Sequence, residues 1–140
     1  MKVLLAVDGS KHTKTMLAYL TTHEGLLGVK PEYVVLNVQL PIPMRAARAV
    51  GKDIVAEYHH AESEAVLGAV CKFLDRHEAN YKTRVTVGNP ADEILKAAKK
   101  DKVDLIVMGS RGHGTFASMI LGSVAQKVLT HADVPVMVVR

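Results

Sequence analysis

Residues 108–129 read "MGSRGHGTFASMILGSVAQKVL". The stretch follows the apolar run Leu105, Ile106 and Val107. It leads into a helical apolar pattern of Leu121, Val124, Ala125, Val128, Leu129 and Ala132. Between the two lie glycines at 109, 112, 114 and 122 and hydroxyls at Ser110, Thr115, Ser118 and Ser123. A strand thus opens into unhindered backbone before a helix begins. Gly109 and Gly112 have no Cβ, so their N–H groups can approach a ligand closely. Gly122 and Ser123 stand where the helix starts, and a helix N-terminus offers unpaired N–H groups and a partial positive charge suited to phosphate. The Ser123 hydroxyl adds a donor, and Arg111 and His113 either add charge or point to solvent. Two readings stay open on spacing alone: a polyphosphate cradle, or a glycine-rich loop that only terminates a strand.

Five apolar runs read as short strands: Val3–Val7, Tyr33–Val38, Thr83–Val87, Leu105–Met108 and Val136–Val139. They are rich in Val and nearly continuous, the pattern of strands buried on both faces of a parallel sheet. Helical periods separate them. Thr13, Met16, Leu17 and Leu20 share one face, with Gly25 as a stop. Val66, Val70, Phe73 and Leu74 share another, in a long pattern that begins near Lys52. Ala91, Ile94, Leu95 and Ala98 form a third, opened by "GNP" with Pro90 in the first turn. Strand and helix alternate four times before a last strand, which predicts an open α/β fold in one domain spanning residues 1–140. Right-handed crossovers then place the strand-to-helix loops along one edge of the sheet, where ligands bind in such folds. The first of these loops, "VDGS", puts Asp8 at the strand end, Gly9 in a tight turn and Ser10 at a helix cap. Gln39–Gly51, with Pro41, Pro43, Arg45 and Arg48, is the least regular segment and reads as a surface loop or a cover for a ligand.

Apolar residues make up 49% of the 140, enough for a substantial core. No run approaches the roughly 20 residues of a membrane helix. The opening "MKVLLAVDGS" has too short an apolar part for a signal peptide, so a first strand and a cytoplasmic location are expected. The single Cys71 is expected as a buried, reduced thiol. A net charge of +4 suits an anionic ligand; with aromatics at 4% and no Trp, it gives little support for nucleic acid.

Standard motifs mostly fail. A Walker A loop needs a Lys after its second glycine, and the sequence continues "GHGT" instead. "GHGTFA" matches a dinucleotide fingerprint only loosely, with no acidic ribose partner at the required distance. No G-x-S-x-G marks a nucleophile, and the seven histidines lack metal-ligand spacing.

The spacing Gly109-x2-Gly112-x9-Gly122-Ser123 resembles the nucleotide-binding motif of the universal stress protein family. Further pieces resemble that family in order along the whole chain: "VLLAVDGS", "VLNV", "VGNPADEIL", "DLIVMGSRGHG" and "LGSVAQKVLTHADVPVMVV". The resemblance implies a Rossmann-like, five-stranded parallel sheet of order 3-2-1-4-5 with helices on both faces. It implies the ATP-binding type, with ATP, ADP or AMP as ligand and Mg²⁺ as companion. By position, Asp8 would meet the ribose–phosphate region or a divalent ion, with Ala6 and Val7 beside it. Val38 and Met108 would line the adenine pocket. Gly109, Arg111 and Gly112 would face ribose and phosphates, and Gly122, Ser123 and Val124 would hold phosphates through N–H groups. Ala125 stands where many members carry a hydroxyl. That substitution removes a donor worth on the order of 1 kcal/mol and leaves the preference for ATP over AMP open. The apolar edge strand Val136–Val139 implies a homodimer, since an uncovered apolar edge invites pairing.

Three function classes follow: a regulatory or stress-response nucleotide-binding protein, a slow ATPase, and a nucleotide-free interaction module. Fast phosphoryl transfer needs a clamping cation, a base and a positioned water. Asp8, Arg111 and His113 supply charge, but no residue stands out as a base, so binding is favoured over turnover. Adenylate-forming enzymes of similar fold carry S-G-G-x-D-S or H-x-G-H, and neither occurs here.

Overall fold

The computed structural model describes residues 1–114 and 118–140. Thr115, counted above among the loop hydroxyls, lies outside the described residues. Five strands, β1 (Lys2–Ala6), β2 (Glu32–Gln39), β3 (Asn80–Val87), β4 (Leu105–Gly109) and β5 (Val136–Val139), form one sheet of order β3-β2-β1-β4-β5. Every pairing is parallel. This is the order that the family resemblance implies and the open parallel architecture that the alternation of strand and helix predicts. Among the described residues five helices connect the strands: α1 (Lys11–Thr22), α2 (Met44–Val50), α3 (Lys52–Arg76), α4 (Pro90–Lys100) and α5 (Ser123–His131).

The alternation of side chains along β1 divides the core in two. Val3, Leu5 and Val7 face Met16 and Leu17 of α1 and Leu67, Val70 and Leu74 of α3. Leu4 faces Ala91, Ile94, Ala97 and Ala98 of α4 and Ala125 and Val128 of α5. Both faces of the central strands are therefore dry, which is why their sequences are apolar without alternation. At about 25 cal/mol per Å² of apolar surface removed from water, these two layers supply the main drive to fold.

Departures from the sequence reading have physical causes. Residues 39–51 are more ordered than expected, because Met44–Val50 is helical. No residue of α2 is buried, so no apolar period announced it. Gly51, with φ of 88°, turns the chain from α2 into α3. β3 starts at Asn80, three residues before the predicted Thr83, and alternates exposed with half-buried residues because it is an edge strand. Leu129 is exposed, off the packed face of α5, and Cys71 is half-buried against the α1/α3 layer. Ser10 sits at the α1 N-cap, but its hydroxyl makes no cap bond.

A buried charge ties β3 to the end of α4. The Arg84 guanidinium donates to Asp101 Oδ1 at 2.6 Å, and Lys82 Nζ lies 3.6 Å from the same oxygen. Asp101 is the α4 C-cap residue. No described helix is long and apolar enough to cross a membrane.

Candidate nucleotide-binding crevice

β1 and β4 are neighbours in the sheet, and the chain runs on from β1 to β2 and from β4 to β5, in opposite directions, so a crevice opens between their C-termini. Two loops fill its floor. In the first, Asp8 Oδ1 accepts from the Ser10 N–H at 2.9 Å, closing a turn over Gly9, whose φ is 78°. The Thr13 hydroxyl, one turn into α1, accepts from the Asp8 N–H at 3.1 Å and donates to Asp8 Oδ1 at 3.0 Å. The carboxylate is pinned from two sides.

The second loop closes against the first. His113 Nε2 donates to the Asp8 carbonyl at 2.8 Å. A Cβ on Gly112 would stand 2.6 Å from Asp8 Oδ2, and one on Gly109 would stand 2.8 Å from His12 Cβ. Two of the glycines in the opening motif therefore let the β4 loop and the start of α1 touch. Gly122 joins them from the far side: its N–H donates to the Ser110 carbonyl at 2.7 Å, and its own carbonyl accepts the first helical bond of α5, from Gln126. The Gly122 amide is thus committed within the loop. The first-turn amides of Ser123, Val124 and Ala125 precede the helical ladder, and the Ser123 side chain is exposed beside them.

These elements enclose a cavity of about 670 Å³, within the roughly 300–1,000 Å³ of small-molecule sites. Ala6, Val7, Asp8, Val38, Met108, Gly109, Arg111, Gly112, Gly122, Ser123 and Val124, all named from the sequence, lie on its wall. Thr13, Asn37, Tyr58, Glu62 and Asn89 also line it and were not anticipated, and Gln39 lines it at the start of the segment read as a loop or a ligand cover. Asn37 carried a legible signal, a polar residue inside the apolar run "VVLNV". Tyr58 and Glu62 carried none, because only the docking of α3 brings them here. The wall has two characters. Leu36, Val38, Ala65, Val66, Pro90 and Ile94 make an apolar side, while the β4 loop and the α5 N-terminus make a side of glycine and amide.

Burial pushes the Asp8 carboxyl up, but the hydrogen bonds from Ser10 and Thr13 and the nearby His113 outweigh it and hold the pKa below the usual carboxylate value. Asp8 is therefore ionised at neutral pH. His12 is held below the ordinary imidazole range by desolvation and by the charges of Arg111 and Lys11, against the opposing pull of Asp8. Among the described residues no group of three or more His, Cys, Asp or Glu side chains is placed to hold a metal. A depressed carboxylate stabilises the fold above its unfolded pKa, and that contribution is lost as pH falls through the folded value. In an NMR titration Asp8 is expected to ionise below 3.8, the ordinary value, and Thr13→Val, which removes one donor, to raise it. A wild-type value at or above 3.8 would contradict the geometry.

Comparison with known proteins places this arrangement. The universal stress protein family model matches residues 1–140. A universal stress protein of Thermus aquaticus, named for the 3′ region of its QAH/OAS sulfhydrylase, is 35% identical over 144 residues, covering 99% of this chain and 97% of its own. The solved structure of the Methanocaldococcus jannaschii protein MJ0577 superposes with a TM-score of 0.79 at 26% identity, covering 99% of this chain and 94% of its own. A universal stress protein family structure from Arabidopsis thaliana, solved with AMP bound, has the same fold, with a TM-score of 0.71 at 20% identity over 99% of this chain and 90% of its own. With its sheet order, its crevice and a match over its full length, the chain belongs to the universal stress protein family.

Proposed function

We propose that this protein binds an adenine nucleotide, with ATP as the ligand, and works as a regulatory module of the stress response whose state is set by occupancy of the crevice. The observation that carries this reading is the two-sided wall of the cavity. A base stacks on apolar surface and phosphates seek N–H groups, and the crevice offers both within one volume. Val38 and Met108 would meet the base. The amides of Ser123 and Val124, the Ser123 hydroxyl and the β4 loop with Gly109, Arg111 and Gly112 would meet ribose and phosphates. The Ala125 amide supplies a further donor from the same first turn, but the side-chain hydroxyl that many members carry there is still missing. The AMP found in the Arabidopsis relative supports the same ligand class.

An ionised Asp8 beside a phosphate site repels its ligand unless a cation lies between them. Mg²⁺ is commonly held by one or two carboxylates together with substrate phosphates, and the single pinned carboxylate fits that pattern. Asp8 would hold the ion, which would neutralise phosphate charge. Slow hydrolysis is the second reading, favoured by Glu62, a carboxylate on the cavity wall. Nucleotide released by acid from fresh protein separates the two: ATP supports binding without turnover, ADP supports hydrolysis, and an empty protein that ignores added nucleotide overturns both.

A Cβ on Gly122 would lie 3.3 Å from Arg111 Cα, so a branched side chain intrudes where the loop meets α5. Gly122→Val is expected to weaken ATP binding by at least roughly tenfold, about 1.4 kcal/mol, while the far-ultraviolet circular dichroism spectrum is kept. Unchanged affinity by calorimetry would remove this loop from the site. Asp8→Ala is expected to weaken binding in Mg²⁺ and much less in EDTA; an equal loss in both would separate Asp8 from the metal.

We also assign self-association to β5. It is the last strand of the sheet and nearly all Val, and an open apolar edge of this kind is commonly covered by a second chain. Light scattering at micromolar concentration should give twice the mass of one chain, and Met137→Pro should shift it toward one; a wild-type monomer would end the assignment.

A further inference from the structure

We infer that Gln39 selects the base: its side-chain carbonyl oxygen accepts from the exocyclic amine of adenine and turns away bases that carry an oxygen at that ring position. The inference rests on the adenine-nucleotide reading above. The Val7 carbonyl, just past the end of β1, can only accept. Asn37 Nδ2 donates to it at 2.9 Å. Asn37 is 2% exposed, so turning the amide over would set its oxygen against the Val7 carbonyl with no water to relieve the repulsion. The orientation of Asn37 is therefore fixed, and its Oδ1 must be met by a donor.

Gln39 supplies that donor. Its Nε2 lies 2.7 Å from Asn37 Oδ1. The Gln39 amide inherits the polarity set by the Val7 carbonyl, which commits one N–H of Nε2 to Asn37 and leaves Oε1 as the acceptor that the amide offers a ligand. Asn37 and Gln39 alternate with Val38 at the end of β2 and all three line the cavity, across from the β4 glycines and the α5 N-terminus. A ligand whose phosphates lie on the glycine side brings its base toward this wall.

The relay makes rejection costly as well as recognition favourable. Adenine presents an amine that donates to Oε1. Hypoxanthine and guanine present a carbonyl there, oxygen against oxygen. Gln39 cannot adapt by flipping, because its own oxygen would then face Asn37 Oδ1, and Asn37 cannot flip in turn. A donor–acceptor pair held in place on both sides discriminates more strongly than a pocket of matching shape.

The test is calorimetry on the full chain with ATP, inosine triphosphate and purine riboside triphosphate, whose base has hydrogen at the position in question. Wild-type protein should prefer ATP over inosine triphosphate by roughly tenfold or more, with the purine analogue between them. Gln39→Met, of similar length and without the amide, should bring ATP and inosine triphosphate within about threefold, chiefly by weakening ATP. An ATP-to-inosine ratio that stays at the wild-type value in a folded Gln39→Met protein overturns the inference and leaves the nucleotide reading standing. Should the variant not fold, the wild type decides alone: equal affinity for ATP and the purine analogue overturns the role of Oε1, and a clear preference for ATP supports it. Failure of both ATP and AMP to bind wild-type protein overturns the nucleotide reading and this inference with it.

Discussion

The crevice depends on the contact between two loops that are remote in sequence, made where the Asp8 carboxylate meets Gly112 and where His113 closes on the Asp8 carbonyl. The parallel pairing of β1 with β4 brings the two strand ends together, Ala6 opposite Met108. Backbone without side chains lets them touch. Thr13 and Ser10 then fix the carboxylate so that the contact has one geometry. Positions farther along follow from this: Gly122 is drawn to the Ser110 carbonyl, which sets the angle at which α5 leaves the loop and aims its first-turn amides.

The glycines consequently have two uses. Free approach of a ligand was the first reason to expect them. Packing is a second reason at Gly109 and Gly112, where a single added carbon would collide with His12 or Asp8. The two are compatible, because a loop pressed onto α1 is also a loop whose amides are held still. A rigid cradle spends less conformational entropy when it binds.

The sheet could be read from the chain because its central strands are dry on both faces, so the runs around Leu4 and Ile106 hold no polar residue and the run around Val35 holds only Asn37. Legibility failed where burial stops. β3 loses its apolar character toward Asn80, and α2 buries nothing, so neither the strand's start nor the helix left a periodic trace. The loop residues of the cavity were legible because glycine, aspartate and helix caps have local chemical meanings. Tyr58 and Glu62 were not, since their place depends on how a helix beginning near Lys52 lies across the sheet, and no local pattern encodes that. Asn37 lies between these cases: its polarity stands out in the sequence, but its partner, a carbonyl thirty residues earlier, does not.

Helix α2 has a consequence for how the protein can change over generations. It hangs between β2 and α3 with no buried residue, and Gly51 absorbs the turn that follows it. Lengthening, shortening or rewriting residues 41–50 costs little beyond the entropy of closing a loop, which grows only slowly with length. Descendants of this chain can therefore vary that segment, which follows the cavity-lining Leu40, while the two core layers and the pinned carboxylate stay as they are. The fold separates a part that must be kept from a part that is free to diversify.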